Sequence, residues 1–169
     1  MSKYESPKYH IIKREGSIEI RHYDAFSTTA IGESDLSGYE GFGLLFSYIS
    51  GNNKPQEKIS MTVPVINEFE PNQMTMEFVV PNKYYGNIPE PINPRLITKN
   101  YPAHFAAAII FSWGTSKRRV EKMKLHLQNW LSINNILTAG SFRLARYNPP
   151  FSLPFLRTNE IIVSIEYQD

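Results

Sequence analysis

Apolar residues recur at every second position in Lys58–Val65, where Ile59, Met61, Val63 and Val65 point one way and Lys58, Ser60 and Thr62 the other. A period of two marks a half-buried strand. Met74–Val80 repeats it with Met74, Met76, Phe78 and Val80, and Asn159–Tyr167 with Ile161, Val163, Ile165 and Tyr167. In Ile18–Tyr23, Ile18, Ile20 and His22 share one face, and Glu19, Arg21 and Tyr23 the other. Ser27–Gly32, Leu96–Asn100, Ala103–Phe111 and Ser141–Tyr147 are further predicted strands.

Two stretches carry the helical period instead. Leu36–Ser50 sets Phe42, Leu45, Phe46 and Ile49 at i, i+3, i+4 and i+7, and stops at Gly51-Asn52-Asn53. A second helix starts after Thr115 or Ser116 as N-cap and runs to about Asn134, with Val120, Met123, Leu127, Trp130 and Leu131 as its apolar stripe. The order is two strands, a helix and two strands, given twice: about residues 18–80 and 96–167, with a Pro- and Asn-rich connector over 81–95. The prediction is an α+β fold, a distorted β-barrel built from two pseudo-repeated ββαββ halves with a helix packed outside each. Each half needs the other to cover its sheet edges, so residues 1–169 are read as one domain.

Composition narrows the chemistry. The net charge of +2 is too mild for a nucleic-acid partner, and Lys117-Arg118-Arg119 reads as the solvated first turn of a helix rather than a nucleic-acid or membrane patch. There is no cysteine, which excludes disulfides, thiolate metal sites and a Cys nucleophile. Neither a signal peptide nor an apolar run long enough to span a bilayer is present, so the expectation is a soluble, cytoplasmic protein without a membrane partner. Aromatic residues make up 13% of the chain; most belong to a core, but a flat ligand would want the same walls.

Catalytic patterns are missing. The dinucleotide and phosphate-binding glycine motifs, the nucleophile elbow and His-Glu-x-x-His do not occur. His10, His22, His104 and His126 have no ligand spacing, and no pair of carboxylates is suggested, so neither an enzyme nor a metal other than haem iron is expected. His22 stands out because it shares a strand face with Ile18 and Ile20. It is either a core or rim histidine or an axial ligand to haem iron, for which neutral imidazole is a usual donor. Met61, Met74 and Met76 lie on inward faces, where a thioether fills gaps by default and ligates iron as the alternative; Met61 is kept as a candidate ligand-binding residue.

Together these segments resemble the SOUL haem-binding family. Ile18–Tyr23 is similar to its opening signature. Gly41-Phe42 with Leu45, and Tyr48–Asn53, resemble its first helix and turn, and Lys58–Val65 its most characteristic segment. Phe78-Val79-Val80-Pro81 with Pro89-Glu90-Pro91, then Arg146–Pro150 and Asn159-Glu160, follow in order to the end. The resemblance implies paired ββαββ halves and reversible, non-covalent binding of haem or a related tetrapyrrole in a shallow apolar groove beside the first helix. Tyr39, Phe42 and Phe46 fall on that helix face, Tyr39 replacing a basic residue of some relatives. Ser152 stands where a relative has a lysine for a propionate, Arg146 lies nearby in sequence, and His22 matches an axial histidine of one branch. Such a site suits a carrier, buffer or sensor. The alternatives are an effector-type module for another planar or amphipathic molecule and, less favoured, a haem-modifying enzyme.

Overall fold

The computed structural model of the chain describes residues 3–33, 38–149 and 151–168. In chain order the strands are β1 (Tyr9–Glu15), β2 (Ile18–Tyr23), β3 (Phe26–Glu33), β4 (Val65–Glu70), β5 (Gln73–Val80), β6 (Ile97–Tyr101), β7 (His104–Phe111), β8 (Arg143–Arg146) and β9 (Asn159–Ser164). Helix α1 (Tyr39–Ile49) follows β3, and α2 (Lys117–Ile133) follows β7. The chain is therefore α+β. It divides into two compact units, Met1–Pro7 with Ala25–Pro102, and Lys8–Asp24 with Ala103–Asp169.

In the first unit the antiparallel order is β4-β5-β3-β6. Ile31, Met76 and Phe78 on one sheet face form a core with Leu45, Tyr48 and Ile49 of α1 and with Ile59 and Leu96. Helix α1 buries Gly41, Leu45, Tyr48 and Ile49, spaced i, i+4, i+7 and i+8, a stripe that one helix side can present to a sheet. The Tyr48 hydroxyl donates to the Pro89 carbonyl at 2.6 Å, so the phenol is buried without an orphaned proton. Gly41 is required for a different reason: a Cβ there would collide with the Glu33 carboxylate at the helix start. The helical period grouped Phe42 and Phe46 with Leu45 and Ile49 in one apolar stripe. With Gly41 and Tyr48 taking the inner side, Phe42 and Phe46 face out. The part of the predicted helix before Gly38, Leu36 and Ser37, lies outside the described residues.

Two strand assignments change. Lys58–Pro64 runs outside the sheet, and the ladder begins only at Val65. Pro64 has no N–H to give a ladder, and Thr62 is buried rather than outward, its hydroxyl donating to the Val79 carbonyl at 2.6 Å. Strand β1 has no counterpart in the sequence reading, because it is exposed nearly throughout and so carries no alternation.

In the second unit the antiparallel order is β1-β2-β7-β9-β8, with α2 packed on β7 and β9. Ser116 caps α2 as expected, accepting from the Arg119 N–H at 3.3 Å, and Val120, Leu127 and Leu131 are its buried positions. The two units have the same topology. The order β4-β5-β3-β6 corresponds to β8-β9-β7-β2, each with its helix after the third strand named. The strand that opens each ββαββ half of the sequence is thus hydrogen-bonded in the other half's sheet: β2 beside β7, and β6 beside β3. Each sheet is open, ending at β1 or at β6, so neither closes into the barrel predicted from the sequence.

Each sheet has a second face that is polar and buried. In the second unit Arg21 is fully buried, its guanidinium donating to both Glu160 oxygens at 3.0 and 2.6 Å, to Glu19 at 2.7 Å and to the Tyr23 hydroxyl at 2.8 Å. It reaches Glu160 on β9 across β7, where Ala106 and Ala108 oppose Arg21 and Glu19 and leave the space. Tyr147 donates to Glu160 at 2.8 Å, and Arg14 to Glu19 at 2.6 Å. The Tyr9 ring lies 4.2 Å from the guanidinium carbon. In the first unit Lys99 donates to Glu68 at 2.6 Å and to the buried Glu77 at 3.1 Å. Glu77 also accepts from Thr28, Thr75 and Tyr101 at 2.7, 2.7 and 2.8 Å. Glu19, Glu77 and Glu160 are therefore interior, and Glu77 stands with Glu68 about one lysine, an arrangement their spacing in the sequence did not suggest.

Removing the cation would leave the buried Glu160 without its ion-pair partner and Glu19 with Arg14 alone, so Arg21→Met is expected to lower unfolding free energy by about 3–5 kcal/mol in a guanidinium titration. Gly41→Ala, which must displace Glu33, is expected to cost about 1–3 kcal/mol in the same assay. Burial acts to raise the Glu19 carboxyl, but hydrogen bonds from Arg21 and Arg14 overcome it and hold the group below its ordinary 4.5. Its contribution is then full above pH 4.5 and is lost as pH falls through the lower folded value. Glu19→Gln should flatten that part of the acid limb of a stability–pH curve.

Candidate functional site

The outward side of α1 carries the first group of candidates. At about 100° per residue, Tyr39, Phe42, Gly43 and Phe46 share one side of the helix. Tyr39 is 88% exposed, Phe46 53% and Phe42 41%. The Phe42 ring stands edge-on to Phe78 of the core at 5.3 Å, which fixes it. Phe46 lies nearly parallel to Phe42, at 13° and 6.3 Å. Between them nothing lies within 4 Å of where a Gly43 Cβ would be, so a flat molecule can approach the helix backbone there. Three exposed aromatic rings around a gap form an apolar surface that folding leaves uncovered. Arg95 stands at the first turn of α1, donating to Glu40 at 2.6 Å. Both partners are more than half exposed, so that pair contributes little to stability. Met61 packs, partly buried, against the core under the helix.

His22, Arg146 and Ser152 belong to the second unit. His22 shares its face with Ile18 and Ile20, as predicted, and stands half-buried between His10 at 5.2 Å and Phe105 at 4.8 Å. Its Nδ1 has no hydrogen-bond partner among the described residues. Phe105 in turn lies 5.5 Å from Tyr167. Both rings line a cleft of about 570 Å3 with Leu137, Ile165 and Glu166. Arg146 ends β8 opposite Asn159, and burial lowers its guanidinium below the usual arginine value. Ser152 lies in the connection before β9, where its carbonyl accepts from Arg157 Nε at 3.1 Å. His126 is exposed, as expected of the polar side of α2, and His104 opens β7 stacked on Tyr23 at 5.4 Å.

The structure thus brings Tyr39, Phe42 and Phe46 together on α1 and leaves His22, Arg146 and Ser152 on three separate elements of the second unit. Among the described residues no three His, Asp or Glu side chains converge as metal ligands. The sequence reading did not single out Gly43 or Arg95. Gly43 was legible in principle, since helical spacing alone puts it between Tyr39 and Phe46. Arg95 was not, because only folding brings it to Glu40 from 55 positions along the chain.

Comparison with known proteins agrees with the sequence resemblance. The profile of the family described as SOUL heme-binding protein matches residues 4–164. "Heme-binding protein 2" of Homo sapiens is 27% identical over 158 residues, covering 86% of this chain and 77% of that protein. "Heme-binding protein 2" of Mus musculus is 26% identical, covering 95% and 83%. Among solved structures, the EcmrR C-terminal domain shares the fold with a TM-score of 0.70 at 13% identity, covering 94% of this chain and 98% of that one.

Because the α1 rings face out, Phe46→Ser is expected to change unfolding free energy by less than about 1 kcal/mol, whereas Leu45→Ala one position away should cost about 2–5. Chemical denaturation of both variants checks which side of the helix is buried.

Proposed function

Because the chain belongs to the SOUL heme-binding protein family, which supports haem binding in general, we propose that it binds haem or a related tetrapyrrole reversibly on the outer face of α1. The observation that carries the reading is the exposed stripe of Tyr39, Phe42 and Phe46 around the gap at Gly43. A porphyrin is flat, wide and apolar on both faces, and such a surface fits one of them. Stacking against these rings contributes several kcal/mol at about 25 cal/mol per Å2 of covered apolar surface, less the ordering cost. The propionates need a cation, and Tyr39 does not supply one. Arg95 does: its exposed pair with Glu40 is cheaply exchanged for a propionate at the same helix end. Bound haem would bring iron chemistry; the chain's own residues stack on the ring and neutralise its carboxylates. A site open on one side suits a carrier, buffer or sensor, and we read the role as binding and release without turnover.

An uncharged planar or amphipathic molecule is the second reading, favoured by the absence of a basic residue at Tyr39 and Ser152, and Arg95 separates the two. Haemin titration by absorption spectroscopy is expected to show saturable one-to-one binding that Phe46→Ala weakens about tenfold. Gly43→Leu, which fills the gap with a side chain tolerated by a helix, should weaken it at least as much. Arg95→Gln should weaken haemin but leave a porphyrin diester unchanged. A Soret shift lost in His22→Ala would instead assign the iron ligand to His22. Absence of saturable binding by the wild type would sink the haem reading. Haemin incubated with protein and ascorbate should keep its Soret absorbance; steady bleaching would argue for an enzyme.

A further inference from the structure

The connection from β8 to β9 exposes apolar side chains that neither the fold nor the α1 site uses. Phe151 is 88% exposed, and Leu153, Phe155, Leu156 and the neighbouring Trp113 are each more than half exposed. They are not the loose side chains of a floppy loop. The Trp113 N–H donates to the Pro154 carbonyl at 2.9 Å, Asn159 Nδ2 donates to the Trp113 carbonyl at 2.9 Å, and the Trp113 and Phe155 rings are 6.3 Å apart. Within the connection, Leu156 N–H donates to Leu153, Arg157 N–H to Pro154, and Thr158 N–H to the Asn148 side chain. These bonds tie down the backbone at Trp113 and over residues 153–158, so the display of Trp113, Leu153, Phe155 and Leu156 in water does not wait on a partner to order them.

Charge says what covers them. Residues 112–119 and 147–158 contain no Asp or Glu, and hold Lys117, Arg118, Arg119 and Arg157. Lys117 and Arg118 are exposed at the start of α2, four and five residues beyond Trp113. Tryptophan with phenylalanine and leucine, collared by cations, is the composition that inserts into the headgroup boundary of an anionic bilayer. A second copy of a chain of mixed charge gives no reason for carboxylates to be excluded from both segments. We propose that residues 151–156, with Trp113 and the start of α2, form a peripheral docking surface for anionic membranes. The sequence alone carries no bilayer span, and Lys117–Arg119, with Glu121 two residues on, reads there as a solvated helix turn. An interfacial contact needs no span, and the exposed apolar side chains beside that turn are what folding adds. The proposal is independent of haem binding.

The test is sedimentation of the full chain with vesicles of an equal mixture of phosphatidylcholine and phosphatidylserine, beside vesicles of phosphatidylcholine alone. The wild type is expected to bind the anionic vesicles and to be released by salt. Phe151→Ser with Leu156→Ser, both exposed and so expected to fold, should reduce binding at least tenfold with an unchanged thermal melt. Lys117→Gln and Arg118→Gln should each reduce it about fivefold at low salt. Failure of the wild type to bind at low salt overturns the proposal, as does equal binding by the serine variant. Self-association of the wild type that the serine variant abolishes, without vesicle binding, assigns the surface to a second copy and overturns it as well.

Discussion

A cation set between two carboxylates, at least one of them buried, is the constraint on which the rest of each unit depends. Arg21 joins Glu19 and Glu160, and Lys99 joins Glu68 and Glu77. A buried ionised carboxylate is tolerated only when it is paired and fully hydrogen-bonded. Arg21 meets that need for Glu160 only if β2 lies in register beside β7, and Lys99 meets it for Glu77 only if β6 lies beside β3. The ion pairs therefore specify which strand joins which sheet. Burial opposes the charge of Arg21, but its hydrogen bonds to Glu160 more than offset this, so the guanidinium stays charged at any accessible pH.

The two clusters also carry the repeated topology of the units into side-chain chemistry. Arg21 and Tyr23 on β2 correspond to Lys99 and Tyr101 on β6, two residues apart in each case. Glu160 on β9 corresponds in topology to Glu77 on β5. Lys99 faces Thr28 and Arg21 faces Ala106, so cation and tyrosine hold the same places, whereas Glu77 lies two residues from Val79 and Glu160 four from Ser164, so the acceptors stand at different registers. Loss of either cation would leave a buried glutamate, Glu160 or Glu77, without its ion-pair partner.

With one sheet face occupied by ions, the other must take the helix, and α1 has only one side to give it. Gly41 and Tyr48 fix that side, the first by admitting Glu33 and the second by donating to Pro89. Phe42, Phe46 and Tyr39 then have no choice but water. The candidate haem surface is thus a consequence of how the helix is seated. The apolar connection before β9 is a different matter, since its own hydrogen bonds hold it open.

The sequence by itself determined the element order after β1, the ends of α2, most strand positions and the family, because these depend on local periodicity, capping and segments whose residue types are individually constrained. It also put Tyr39, Phe42 and Phe46 on one helix. Only the tertiary structure decided that β2 and β6 change places between the halves, because alternation says that a residue is a strand residue and nothing about its neighbour. The same limit hid the buried side of Glu19-x-Arg21: a polar strand face is read as solvated unless partners far along the chain, here Glu160, are known to meet it. In α1 the period allowed Phe42 and Phe46 or Gly41 and Tyr48 to be the inner side. The choice fell to close approach at Gly41 and a hydrogen bond to Pro89, neither of which has a period.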